Sequence, residues 1–327
     1  MILSRITLLA ITGAAAVLAQ EPYMAVVEKK AGMLAFYSEE GKRLSEIKVG
    51  TYPHEMAFSR DRKLLYITDN GLVWMTDKGE GDKTISVIEV ATRKKVHVID
   101  LGNYRRPHGL LVHPKTGQLV VTIENPYGLL IVDPAARKVL RKYDTRGESP
   151  HMVLFGPRAE TAYVSNSNSG TVAIVNLASG NVEAILNTGK NPQGGVMTRD
   201  GKTIFLTNTA SNKISVIDTA KREVVGEIET GNGPARILLT PDESTLVYNL
   251  QPGEGVGFAD VKTRKQTGEV RIPGRPLSLS CSRDGQLAFL GLQDADKIAV
   301  VSVPERKVVR VITTPAGAGP DTIMRLD

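Results

Sequence analysis

Short apolar runs rich in Val, Ile, Thr and Phe alternate with polar, glycine-bearing turns along nearly the whole chain. Each run is of strand length and bounded by Gly, Asp or Asn, the pattern of β-strands joined by tight connections. The unit is plainest after Pro192. GGVMT leads into the turn Arg199-Asp200-Gly201-Lys202, and TIFLTN ends at Asn208. KISVIDT, the pair Lys221-Arg222 and EVVGEIETG follow. Asp-Gly between two such runs favours a tight hairpin because it accepts positive φ. The pattern predicts four antiparallel strands, A to D.

A proline opens each unit: Pro53, Pro107, Pro150, Pro192, Pro234, Pro276 and Pro320 recur every 42 to 54 residues. A period near forty with four strands per repeat is the mark of a β-propeller blade. Only DTIMRLD follows Pro320, whereas YMAVVE, MLAFYS and RLSEIKV precede Pro53 without a first strand. The expected fold is therefore an all-β, seven-bladed propeller of four-stranded antiparallel blades. Its last blade closes 1+3, with the C-terminal A strand completing the three N-terminal strands. Such closure removes two free sheet edges.

YVSNSNSGTVAIVNL from Tyr163 and FLTNTASNKISVIDT from Phe205 resemble the YVTN repeat of surface-layer and related exported propellers. The resemblance runs from about Pro22 to the C-terminus. It implies the propeller fold but selects no chemistry, because propellers carry many functions.

Composition adds location and excludes classes of partner. Arg5, the apolar run Ile6 to Val17 and Val17-Leu18-Ala19 read as a secretory signal over residues 1–19, cleaved before Gln20. The mature chain, 20–327, is expected to be a single exported domain in the periplasm or outside the cell, without a membrane span. The chain has 327 residues with 41% hydrophobic content, enough for a substantial core. Cys281 is the only cysteine, so no internal disulfide supports the fold. A net charge of +6 is mild, and basic pairs such as Lys221-Arg222 lack interleaved aromatics. Nucleic acid is disfavoured as a partner on both counts. No haem attachment, nucleotide loop, flavin signal or nucleophile elbow is present.

The candidate chemistry sits immediately after the prolines, at His54, His108, His151, Gln193, Ala235, Leu277 and Asp321. Strand A is innermost in a propeller, so three adjacent blades aim an imidazole at one arc of the central mouth, and blades five and six offer apolar side chains. The B strands return to the same face, which brings Glu28, Asp69, Glu124, Asn166, Asn208 and Asn249 towards it. Imidazoles with carboxylates are the donor set of zinc, copper, iron or manganese, and a carboxylate behind an imidazole fixes its tautomer. His54, His108, His151, Asp69, Glu124 and Asp321 are the candidate metal group. Tyr52, Tyr104, Arg106, Gln193 and Arg236 are candidate ligand contacts, with Arg105, Lys190 and Arg275 also near the mouth. Arginines beside a polar mouth suit a carboxylate or phosphate.

An insertion between Asp69 and Thr84, NGLVWMTDKGEGDK, carries the only tryptophan, Trp74, and lengthened connections in repeat arrays are often functional. The expected function is binding of a metal ion or small anionic ligand at the mouth by a monomer. Two alternatives are a cell-envelope scaffold with no metal and a metal-dependent, lactonase-like hydrolase or lyase.

Overall fold

A computed structural model describes residues 20–327; the segment 1–19, read as a signal peptide, lies outside the described residues. Seven four-stranded antiparallel sheets succeed one another around a central channel. Blade one runs Pro53–Phe58, Leu64–Asp69, Thr84–Glu89 and Lys94–Asp100, and blade two runs Arg105–Val112, Leu119–Asn125, Tyr127–Asp133 and Lys138–Tyr143. In blade seven the C-terminal strand Pro320–Arg325 pairs with Met24–Glu28, with Met24 opposite Arg325, and Met33–Tyr37 and Arg43–Lys48 complete the sheet. Among the described residues no helix is long and apolar enough to cross a membrane.

The core is divided into seven clusters, each drawn from two neighbouring blades. Leu65 and Ile67 of blade one pack with Val27 and Leu34 of blade seven, whereas Tyr66 packs with Leu119 and Val121 of blade two. Alternate residues of one strand thus serve opposite neighbours, the period-two rule of a pleated strand sandwiched on both faces. The same alternation decides which polar residues at the strand's end reach which neighbour.

The A strands begin irregularly. Pro53 lies opposite Asp69 but Met56 lies opposite Ile67, so the inner strand gains one residue over its partner. Equivalent register shifts follow Pro107, Pro150, Pro192 and Pro234. A bulge of this kind re-aims side chains, and here it falls on the two residues after each proline. Tyr52, Arg106, Ser149 and Asn191, each directly before its proline, hold positive φ of 43°, 58°, 53° and 57°. Non-glycine residues seldom adopt that conformation. Gly233 and Gly319, with φ of 76° and 59°, repeat the sharp entry in blades five and seven, so six of the seven blades meet the mouth in this way.

Candidate functional site

In blades one to four a hydroxyl on the B strand holds the next blade's inner strand in place. The Glu55 amide, freed by the bulge, donates to Thr68 Oγ1 at 3.0 Å, and Thr68 Oγ1 donates to the His108 carbonyl at 3.0 Å. In blade two the Gly109 amide donates to Thr122 Oγ1 at 2.7 Å, and that hydroxyl donates to the His151 carbonyl at 2.6 Å. Ser165 reaches the Gln193 carbonyl and Thr207 the Ala235 carbonyl in the same way. Gly109 is required by the closeness of this approach, since a Cβ there would stand 2.6 Å from the His151 carbonyl oxygen.

This frame brings the three imidazoles together. The rings of His54 and His108 are 4.1 Å apart between centroids, and those of His108 and His151 are 3.8 Å apart. His108 and His151 are buried, and neither Nδ1 has a hydrogen-bond partner among the described residues. Burial first, and then the neighbouring imidazoles, Arg236 and Lys29, hold the His108 pKa well below the ordinary histidine value. His151 is lowered in the same direction by burial, Arg236, His54 and Lys29. Both rings are therefore uncharged at neutral pH.

Two ion pairs flank them. Asp321 Oδ2 lies 2.9 Å from His54 Nδ1, close but not aligned as a hydrogen bond, and 3.3 Å from Lys29 Nζ. Burial would push the Asp321 carboxyl up, but the positive groups of His54, Lys29 and Arg236 outweigh it and hold it well below the usual carboxylate range. Arg236 Nη2 donates to Glu55 Oε1 at 2.5 Å. The liganding atoms of His54, Glu55 and His108 all lie within 4.8 Å of one another. Two imidazoles and a carboxylate are a fitting donor set for a divalent transition metal, and these three residues form the group that can hold one.

The insertion lies over the mouth. A cavity of about 390 Å³ has the three histidines, Lys29 and Arg236 among its walls, with Leu72–Thr76 of the insertion on its outer side. Trp74 carries the Arg275 guanidinium 3.9 Å above its ring. Arg106 ties the insertion to blade two, donating to the Met75 carbonyl at 2.8 Å and pairing with Glu124 Oε2 at 2.6 Å. Burial raises the Glu124 pKa to about 7, against the opposing pull of Arg106 and Lys29.

The other sequence candidates divide by which way they face. Gln193 and Arg236 line the cavity, and Gln193 Nε2 bonds Asn191 Oδ1 at 2.8 Å. Tyr52 and Tyr104 do not line it, and Tyr104 packs against the core between blades one and two. Asp69 faces away from the imidazoles. It accepts from the Gly50 amide at 3.0 Å, Thr84 Oγ1 at 2.8 Å and Ser86 Oγ at 2.9 Å, and burial raises its pKa to about 6. Glu28 likewise turns outward to Tyr37 and Arg43.

Strand alternation explains the division. Thr68 and Asn70 face blade two, with Asn70 Nδ2 donating to the Pro107 carbonyl at 3.2 Å, while Asp69 between them faces blade seven. Counting two residues on from each bonding hydroxyl finds Asn70 and Glu124. The same register, one residue after Glu28, finds Lys29, a buried lysine that sequence reasoning missed. Glu55 was missed because it sits inside the bulge, where alternation does not hold. Cys281 is half-buried and burial raises its thiol pKa, which leaves it a poor nucleophile.

No known protein family and no curated protein matches the chain by sequence. Solved structures do match by shape. The periplasmic gluconolactonase of Pseudomonas aeruginosa superposes with a TM-score of 0.77 at 14% identity, over 94% of this chain and 99% of that one. A functionally unknown protein from Desulfotomaculum acetoxidans gives 0.77 at 15%, over 93% and 99%. A dihydro-heme d1 dehydrogenase in complex with DHE gives 0.70 at 16%, over 93% of this chain and 75% of that one. Identities this low establish the shared propeller fold and no more.

Proposed function

We propose that the protein is an exported propeller that binds a divalent transition metal ion at the floor of its capped mouth, together with a small anionic ligand above it. The convergence of His54, His108 and Glu55 on one point carries this reading. Metal binding needs unprotonated imidazole, and burial keeps His108 in that form. Lys29, Arg236 and Arg275 line the same cavity and supply the positive charge that an anion requires. Export rests on the N-terminal signal pattern. The YVTN-type repeat reading rests on the segments from Tyr163 and Phe205.

The His54–Asp321 contact favours a second reading, hydrolysis of a lactone or ester. A carboxylate behind an imidazole orients it and favours its protonated form. In this reading His54 serves as base and not as metal donor, any metal being held by His108 and Glu55. His54 would take a proton from attacking water, Asp321 would stabilise the resulting imidazolium, and Arg236 would orient a substrate carboxylate. The metal's contribution would be polarisation of the carbonyl as a Lewis acid. The periplasmic gluconolactonase shows that a propeller of this shape can carry such an activity.

Zinc titration by calorimetry tests the binding reading, with the wild type and His108→Ala compared at matched circular dichroism. The expected result is binding near one ion per chain and a loss of about a hundredfold in the variant, as removal of one of three donors requires. Equal zinc affinity in the two proteins would remove His108 from the site and overturn the reading.

A further inference from the structure

Glu55 stands in two partnerships that compete for the same oxygen. Its Oε1 accepts from the Arg236 guanidinium at 2.5 Å, and that oxygen is also 3.9 Å from His54 Nδ1 on the side of the donor group. A carboxylate oxygen neutralised by a guanidinium is a weaker donor to a metal ion, and the guanidinium repels an incoming cation directly. The pair reaches across the channel from blade five to blade one. A second cavity of about 190 Å³ borders Glu55 and Arg236 and continues among Met152, Leu154 and Ile237. Arg236 alone of the two also borders the upper cavity, which is where an anion would arrive.

We infer that the Arg236–Glu55 pair couples the two ligands of the mouth: an anion entering the upper cavity draws Arg236 onto itself and releases Glu55 to complete the metal's donor set. This inference rests on the metal-and-anion reading above. The cation is held weakly while Arg236 occupies Glu55 and more tightly once an anion takes Arg236. Lys29 does not exchange in this way, because its partner Asp321 lies outside the converging group. By thermodynamic linkage the effect is reciprocal, so the metal tightens anion binding by the same factor.

Cobalt(II) and sulfate are the probes, with the mature chain at constant ionic strength. Cobalt affinity is read from its visible absorption, whose intensity and position also report the donor set. The wild type is expected to bind cobalt about tenfold more tightly in saturating sulfate, within the usual range of allosteric coupling. Its spectrum should shift as Glu55 joins the donors. Arg236→Gln is expected to bind cobalt tightly without sulfate and to show no response to it. Calorimetric titration of sulfate into the wild type, with and without cobalt, gives the reciprocal factor without any substitution.

A wild-type cobalt affinity and sulfate affinity that ignore each other would overturn the coupling. A sulfate response retained by Arg236→Gln would also overturn it. Cobalt affinity that depends on His108 but not on sulfate would leave the binding reading intact and sink only the coupling. Cobalt affinity identical in wild type and His108→Ala would sink both.

Discussion

Blades one and four hold their neighbours by the same bond, and the neighbours present opposite chemistry to the channel. Thr68 fixes the His108 carbonyl of blade two and Thr207 fixes the Ala235 carbonyl of blade five. One carbonyl belongs to a buried imidazole and the other to a methyl group. The frame is made by backbone and hydroxyl groups, so it does not depend on the side chain that follows the proline. An imidazole is therefore unnecessary for architecture at these positions, and a buried Nδ1 without a partner costs stability. The clustering of three such rings on one arc, beside two ion pairs, is what the proposed metal site accounts for.

The comparison can be broken most severely at the strand ends. Asp69 and His54 belong to the same blade, but Asp69 accepts three hydrogen bonds away from the channel. Asp69→Ala is expected to cost about 2–4 kcal/mol by orphaning buried donors. The folded variant should keep the wild-type zinc affinity. Denaturant unfolding beside zinc titration measures both, and zinc affinity lost in step with stability would place Asp69 in the site after all.

A milder break separates the two arcs. Thr68→Val and Thr207→Val each remove a bond of the same kind, and each should lose about 1–3 kcal/mol. Only Thr68→Val should also weaken zinc binding, because its hydroxyl sets the position of both the Glu55 amide and the His108 carbonyl. Equal zinc affinities in the two variants would show that the imidazole arc does not depend on its frame.

Acid sharpens the comparison further. Below a pH of about 6.5 the unfolded chain takes up protons that the buried imidazoles refuse. Their contribution is therefore complete above that pH and is lost as pH falls towards their lowered folded values. Glu124 and Asp69 act in the opposite sense. Their pKa values are raised to about 7 and about 6, so their contribution is present at low pH and fades as pH rises through those values. Replacing His151 with Gln, the residue blade four carries at this position, should spare the variant up to about 2 kcal/mol of the loss between pH 6.5 and 5. Melting curves of the two proteins across that range check it, and parallel pH profiles would contradict the assignment.

The blade count and the histidine arc were legible because turn chemistry and proline spacing repeat faithfully, and a residue fixed one step from a proline inherits its register. The B-strand acids were legible only in part. A displacement of one residue moves a side chain to the other face of a strand, and Asp69 and Glu28 lie one residue from the positions that face the mouth, whereas Glu124 falls on it. Glu55 lay hidden in a bulge that periodicity does not describe. The direction of the insertion was also beyond sequence reasoning, since the Trp74–Arg275 stack joins blade one to blade six through space alone.

Metal content of residues 20–327, purified without a histidine tag, tests the central claim most directly. Mass spectrometry should find close to one transition metal ion per chain, either as purified or after incubation with zinc, copper, iron or manganese. The same measurement should find none in the His54→Ala/His108→Ala/His151→Ala variant. No metal in either protein, or equal metal in both, would contradict the claim that His54 and His108, with Glu55, form a metal site.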